Sequence, residues 1–117
     1  MIFAKIASVM YFVDEPYAAG SWYAKHLFGG IWLQEEAGFF WLEVGGVEVG
    51  FHPTDDAKNP PGGGAVVYWR VENLTGTREA LLAAGSEPWR GPLRLSPTRI
   101  ICQLRDPFRN IIGLEGS

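Results

Sequence analysis

The sequence predicts an α+β fold of two βαβββ repeats, forming a cup-shaped mixed sheet with the helices on the outside. Three observations carry this reading. A strand-like run, Val9-Met10-Tyr11-Phe12-Val13-Asp14-Glu15, is matched 58 residues later by Val67-Tyr68-Trp69-Arg70-Val71-Glu72-Asn73. Each run is followed by a helix-like stretch and then by three strand-like segments. The closing segments match again, Val49-Gly50-Phe51 over Ile112-Gly113-Leu114, at an offset of 63. Similarity at such a spacing marks a duplicated supersecondary unit.

In the first repeat, about residues 1–54, the apolar N-terminus reads as the opening strand. Lys5 interrupts it and no small-residue cleavage site follows, which argues against a signal peptide. A helix is expected from Pro16, a residue suited to the first helical position. Its apolar stripe runs through Ala18, Ala19, Trp22, Tyr23 and Leu27, and it stops at Gly29-Gly30, which can take the left-handed cap. Strands are expected over 31–34, 39–44 and 47–51, the last two joined by the hairpin dipeptide Gly45-Gly46.

Residues 55–64, with Asn59-Pro60-Pro61 and three glycines, read as a linker. In the second repeat, about 65–117, Asn73 to Thr75 offer helix caps. The helix carries Leu74, Arg78, Leu81 and Leu82 and ends at Gly85. Strands are expected over 87–90, 99–104 and 111–114. The two repeats are expected to form a single domain over 1–117, because neither repeat alone covers both faces of its sheet. Two curved sheets side by side leave a concave floor free of helices, where a ligand is expected.

Length and composition agree with a single globular domain: 117 residues, 47% hydrophobic and 20% charged. Five Trp, seven Phe and four Tyr either fill the core or wall a cavity for a flat ligand. The net charge of −3, with no basic run and no RNA-binding motif, gives no reason to expect nucleic acid as a partner. The charge is uneven. Residues 1–58 hold eight acids against three lysines, and residues 59–117 hold five acids against seven arginines. The single cysteine, Cys102, has no internal partner and suits a reducing cytoplasm. No apolar run approaches the roughly 20 residues of a membrane span. A phosphate loop, a nucleophile elbow and a Cys-x-x-Cys pair are all missing from the sequence.

Three segments in register carry a family resemblance. The last is Asp106-Pro107-Phe108-Arg109-Asn110-Ile111-Ile112-Gly113-Leu114-Glu115, a turn followed by an apolar strand. The first is Phe12-Val13-Asp14-Glu15 through Trp22-Tyr23 to Leu27-Phe28-Gly29, and the middle is Val71-Glu72-Asn73 to Ala83-Ala84-Gly85. Together they resemble the vicinal oxygen chelate superfamily of glyoxalases, bleomycin-resistance proteins and extradiol dioxygenases. The resemblance implies the cup and commonly a homodimer. It also implies, for members that do chemistry, a divalent ion held by His, Glu or Gln from the first and last strands of each repeat. Those positions fall on Ser8, Gly50, Val66 and Gly113, none of which is such a ligand, and a shift of one residue is no better. No metal and no cofactor are therefore expected.

Strand alternation assigns faces. Ser8, Met10, Glu48, Gly50, His52, Val66, Tyr68, Arg70, Ile111 and Gly113 should face the cup. Val9, Tyr11, Val47, Val49, Phe51, Val67, Trp69, Ile112 and Leu114 should pack on helices. From Phe39-Phe40-Trp41, an apolar run with one face turned from the helix core, Trp41 or its neighbours Phe39 and Phe40 are expected on the cavity wall. Glu48 and His52, on one face around Gly50, are candidates for an acid/base pair, or else solvated strand-end residues. His26 reads as a cation near a helix C-terminus and Cys102 as a small buried apolar residue.

The function expected from these features is metal-free binding of a small aromatic or cationic molecule, as in the antibiotic-sequestering branch of the superfamily. The alternative is an isomerase or lyase using Glu48 and His52, and after it a metal-dependent lyase or dioxygenase.

Overall fold

In the computed structural model, which describes residues 2, 5–62 and 64–117, the chain divides into two compact units, residues 1–61 and 62–117. Each is a βαβββ unit. The first contains β1 (Ser8–Val13), α1 (Pro16–His26), β2 (Gln34–Glu36), β3 (Phe39–Val44) and β4 (Val47–Pro53). The second contains β5 (Val67–Arg70), α2 (Leu74–Ala83), β6 (Glu87–Ser96), β7 (Arg99–Arg105) and β8 (Ile111–Gly116). The sheets run β1-β4-β3-β2 and β5-β8-β7-β6. In both, the first strand pairs parallel with the last, and the remaining pairings are antiparallel.

The first unit is built around an aromatic cluster under α1. Tyr11, Val13, Leu42, Val49 and Phe51 are buried on the sheet, and Ala19, Gly20, Tyr23 and Ala24 on the helix. The Tyr23 ring lies 5.0 Å from that of Tyr11 and 5.3 Å from that of Phe51, centroid to centroid. Such ring contacts add to the gain from area burial alone. Small residues let the helix approach closely: a Cβ on Gly20 would come within 2.8 Å of Leu33. The helical stripe thus differs from the one expected. Ala18 is exposed, Trp22 and Leu27 are half-buried, and Gly20 and Ala24 take the contact positions.

The second unit packs Leu74 and Leu81 of α2 against Cys102, Leu104, Ile112 and Leu114. Asn73 caps α2, its side-chain oxygen accepting from Gly76 N at 3.0 Å. The turn into β8 is organised by Asp106, whose Oδ1 accepts from Phe108 N at 2.7 Å and from Asn110 N at 2.9 Å. This local network is the physical basis of the Asp-Pro-x-x-Asn sequence there.

The strands differ from expectation at two places. The segment expected over 31–34 is instead β2 at Gln34–Glu36, with Ile31 and Trp32 exposed ahead of it. The strand expected over 87–90 continues to Ser96, through a cis Gly91-Pro92 bond and three register shifts against β7. Proline is tolerated there because β6 is an edge strand.

Two hairpins have two-residue loops with positive φ at both positions, Gly45-Gly46 (55° and 82°) and Ala37-Gly38 (53° and 83°). These suit the twist of antiparallel ribbons. Alanine pays a steric penalty there, about 1 kcal/mol. Ala37→Gly is expected to raise unfolding free energy by about that amount, measured by urea denaturation. A lower midpoint would refute the assigned turn.

Candidate functional site

Each sheet has one face packed on its helix and one open face, and strand register decides which side chains share the open one. In the first unit Ser8 pairs with Glu48, Met10 with Gly50 and Phe12 with His52; Trp41 also pairs with Gly50 and Glu43 with Glu48. Directly paired residues project to the same side of a sheet. Met10, Trp41, Glu48, Gly50 and His52 therefore lie together, and Glu36 and Phe39, paired with each other across the β2–β3 hairpin, extend the row.

These side chains line a cleft of about 340 Å³, with Phe40 at its margin. The Phe39 ring stands 5.1 Å from the His52 imidazole. Strand alternation points to Met10, Glu48, Gly50 and His52, and the apolar run at 39–41 to Phe39 and Trp41; all six line this cleft. Ser8 is exposed at the edge and outside the cleft. Glu36 was missed, because its strand was placed too early; the Ala37-Gly38 turn was the one signal for it.

Glu48 and His52 share a face but stand four residues apart along β4. Strand rise puts their Cα atoms about 13 Å apart, and no hydrogen bond joins them among the described residues. They flank the cleft from opposite ends, and no proton passes directly between them. Glu36 and Glu48 line the cleft with no ion pair among the described residues, and Glu43 sits directly across from Glu48. Like charges placed opposite each other cost stability.

In the second unit the open face carries Tyr68, Arg70, Ile101, Gln103, Gly113 and Glu115. Tyr68 pairs with Gly113, Arg70 with Glu115, and Gln103 also with Gly113. Glu115 bridges two cations, taking Arg70 Nη2 at 2.7 Å and also pairing with Arg99. The hydrogen bond from Arg99 and the two guanidinium charges hold its carboxyl below the usual range. Arg70 is thus engaged in an ion pair, and Val66 precedes β5 outside any cleft described in this unit. Cys102 is 2% exposed, and burial raises its thiol pKa against the opposing charge of Arg78. It behaves as core.

The superfamily resemblance implies metal ligands at four positions, and the side chains there are not of that kind. Ser8, Val66, Gly50 and Gly113 supply no imidazole or carboxylate. Both glycines are also overlain. A Cβ on Gly50 would meet Met10 Sδ and Cε at 3.0 Å, and one on Gly113 would meet the Tyr68 ring at 2.7 Å and Val67 O at 2.8 Å. Among the described residues, no three His, Cys, Asp or Glu side chains gather in a metal-binding group. The residues present do not fit a divalent ion at these positions.

No protein-family model matches the chain, and no curated protein is similar to it. Solved structures are. A glyoxalase/bleomycin resistance protein/dioxygenase family enzyme from Burkholderia phytofirmans superposes with a TM-score of 0.78 at 18% identity, covering 96% of this chain and 98% of that one. An integron cassette protein from the mobile metagenome of Vibrio cholerae gives 0.73 at 21%, covering 98% and 96%. An antibiotic binding protein from a Streptomyces species gives 0.70 at 18%, covering 97% and 96%. The chain has the vicinal oxygen chelate fold.

The overlain glycines differ in what they tolerate. Gly113→Ala presses a methyl group against backbone as well as ring and is expected to cost about 1–3 kcal/mol. Gly50→Ala meets only the movable end of Met10 and should cost under about 1 kcal/mol. Equal losses in thermal denaturation would contradict the close packing of β8 on β5.

Proposed function

We propose that the protein binds a small planar organic cation in the cleft of its first unit, without metal. The observation that carries this is the pairing of aromatic walls with uncompensated carboxylates. Trp41 and Phe39 offer flat faces, Met10 a polarizable floor, and Glu36 and Glu48 line the same cleft with no ion pair among the described residues. A cationic ring stacked on tryptophan near a carboxylate gains from both attractions. It would also relieve the repulsion of Glu43 and Glu48. An antibiotic binding protein among the structural neighbours supports a binding role, and sequestration of a toxic compound is the physiological form it would take.

The separation of Glu48 from His52, together with donor-poor floor positions, favours binding over isomerase, lyase or dioxygenase chemistry. The one thiol, Cys102, is buried and free, as suits a reducing cytoplasm. No helix among the described residues is long and apolar enough to cross a membrane.

N-Methylquinolinium and neutral quinoline have nearly the same shape and differ in charge. By calorimetry at pH 7.5 the cation is expected to bind about tenfold more tightly, and Glu48→Gln to remove most of that preference. Equal affinities for the two probes would overturn the proposal.

The chain is also proposed to act as a homodimer. Along the edge strand β6, Trp89 and Leu95 are 53% and 46% exposed, an apolar edge of the kind that partners cover. Light scattering should give twice the mass of 12.9 kDa; a monomer at micromolar concentration would refute it.

A further inference from the structure

The second unit has its own cleft, of about 390 Å³, and its chemistry is the reverse of the first. It is lined by Tyr68, Arg90, Pro92, Leu93, Ile101 and Gln103, with no carboxylate on its walls. Register explains how they meet: Arg90 pairs with Gln103 and Leu93 with Ile101 across β6 and β7, and Gln103 and Tyr68 both pair with Gly113. Five side chains from three strands thus converge on the open face beside Gly113.

The polar groups are arranged as donors. Gln103 Nε2 donates to the Tyr68 hydroxyl at 2.7 Å, which occupies a lone pair of that oxygen and leaves its own O–H to donate outward. Arg90 makes no ion pair among the described residues, whereas Arg70 and Arg99 are both held by Glu115. An exposed, uncommitted guanidinium presents a fork that fits a carboxylate in two parallel hydrogen bonds. Beside it, Leu93, Pro92 and Ile101 form an apolar wall, and Leu93 is 55% exposed. The volume lies at the lower end of small-molecule sites.

We infer that this cleft is a second binding site, for a small aromatic carboxylate. The acid group sits on Arg90 and the Tyr68 hydroxyl, and the ring lies on Leu93, Pro92 and Ile101. Cys102 and Gly91 complete the wall from the backbone side. A cation finds no acceptor charge there, so the two clefts sort ligands by sign.

The test uses the whole chain and two probes, 2-naphthoate and its neutral isostere 2-naphthamide. In amide-resolved NMR titration, naphthoate should shift Gly91, Leu93 and Gln103 while leaving Phe39 and Trp41 unmoved. It should bind about tenfold more tightly than the amide. Arg90→Gln, at an exposed position outside the core, should abolish that preference, and Tyr68→Phe should reduce it. Equal binding of the two probes, shifts confined to the first unit, or an unaltered preference in Arg90→Gln would each overturn the assignment. N-Methylquinolinium titrated into Arg90→Gln reports on the first cleft separately, so failure at one site is distinguishable from failure at the other.

Discussion

Much of this structure depends on one cross-strand contact made twice: a side chain of the opening strand laid over a glycine of the closing strand. Met10 covers Gly50, and Tyr68 covers Gly113. The contact is possible because those strands are parallel neighbours in register and because glycine offers no Cβ to obstruct it. In the second repeat the ring lies so close that any side chain at Gly113 would strike it, a pairing akin to aromatic rescue of a strand glycine. The same contact determines the chemistry of each open face. Where a metal-binding relative would raise an imidazole or carboxylate, this chain lowers the floor and carpets it with a thioether or a phenol.

Around that shared scaffold the two faces have diverged in charge. The first carries Glu36, Glu43 and Glu48 with Trp41 and Phe39; the second carries Arg70, Arg90 and Arg99 with Tyr68 and Gln103. Three of the eight acids in the first half of the sequence and three of the seven arginines in the second thus lie on the faces away from the helices. Electrostatics at such half-open sites is only partly screened by solvent, so a few charges suffice to set ligand preference.

Most of the fold was legible because the signals were periodic. Alternation in Val47 to Phe51 separated a buried row from a polar one, and Gly45-Gly46 fixed the adjoining turn, so β3 was placed at its observed bounds of Phe39–Val44. From this followed six of the eight residues that line the first cleft. The failures share a different cause. Ile31-Trp32-Leu33 looks like a strand by composition, yet the ladder forms on the polar Gln-Glu-Glu that follows; in so short a ribbon the turn decides the pairing, and Ala37-Gly38 is a weak turn signal. The second cleft was invisible because Gly91-Pro92 reads as a stop. Only an edge position lets a strand run through that dipeptide, and edge positions are a property of the assembled sheet.

Among the described residues, strand pairing is confined to within each repeat, and neither sheet borrows a strand from the other half. Each copy of the duplication therefore keeps a hydrogen-bond ladder of its own, held by backbone groups and not by the side chains that project onto its open face. Away from the overlain glycines, exposed side chains such as Glu48 and Arg90 can change with little consequence for folding. A chain built this way can change the side chains of one open face without altering the strand order of either sheet.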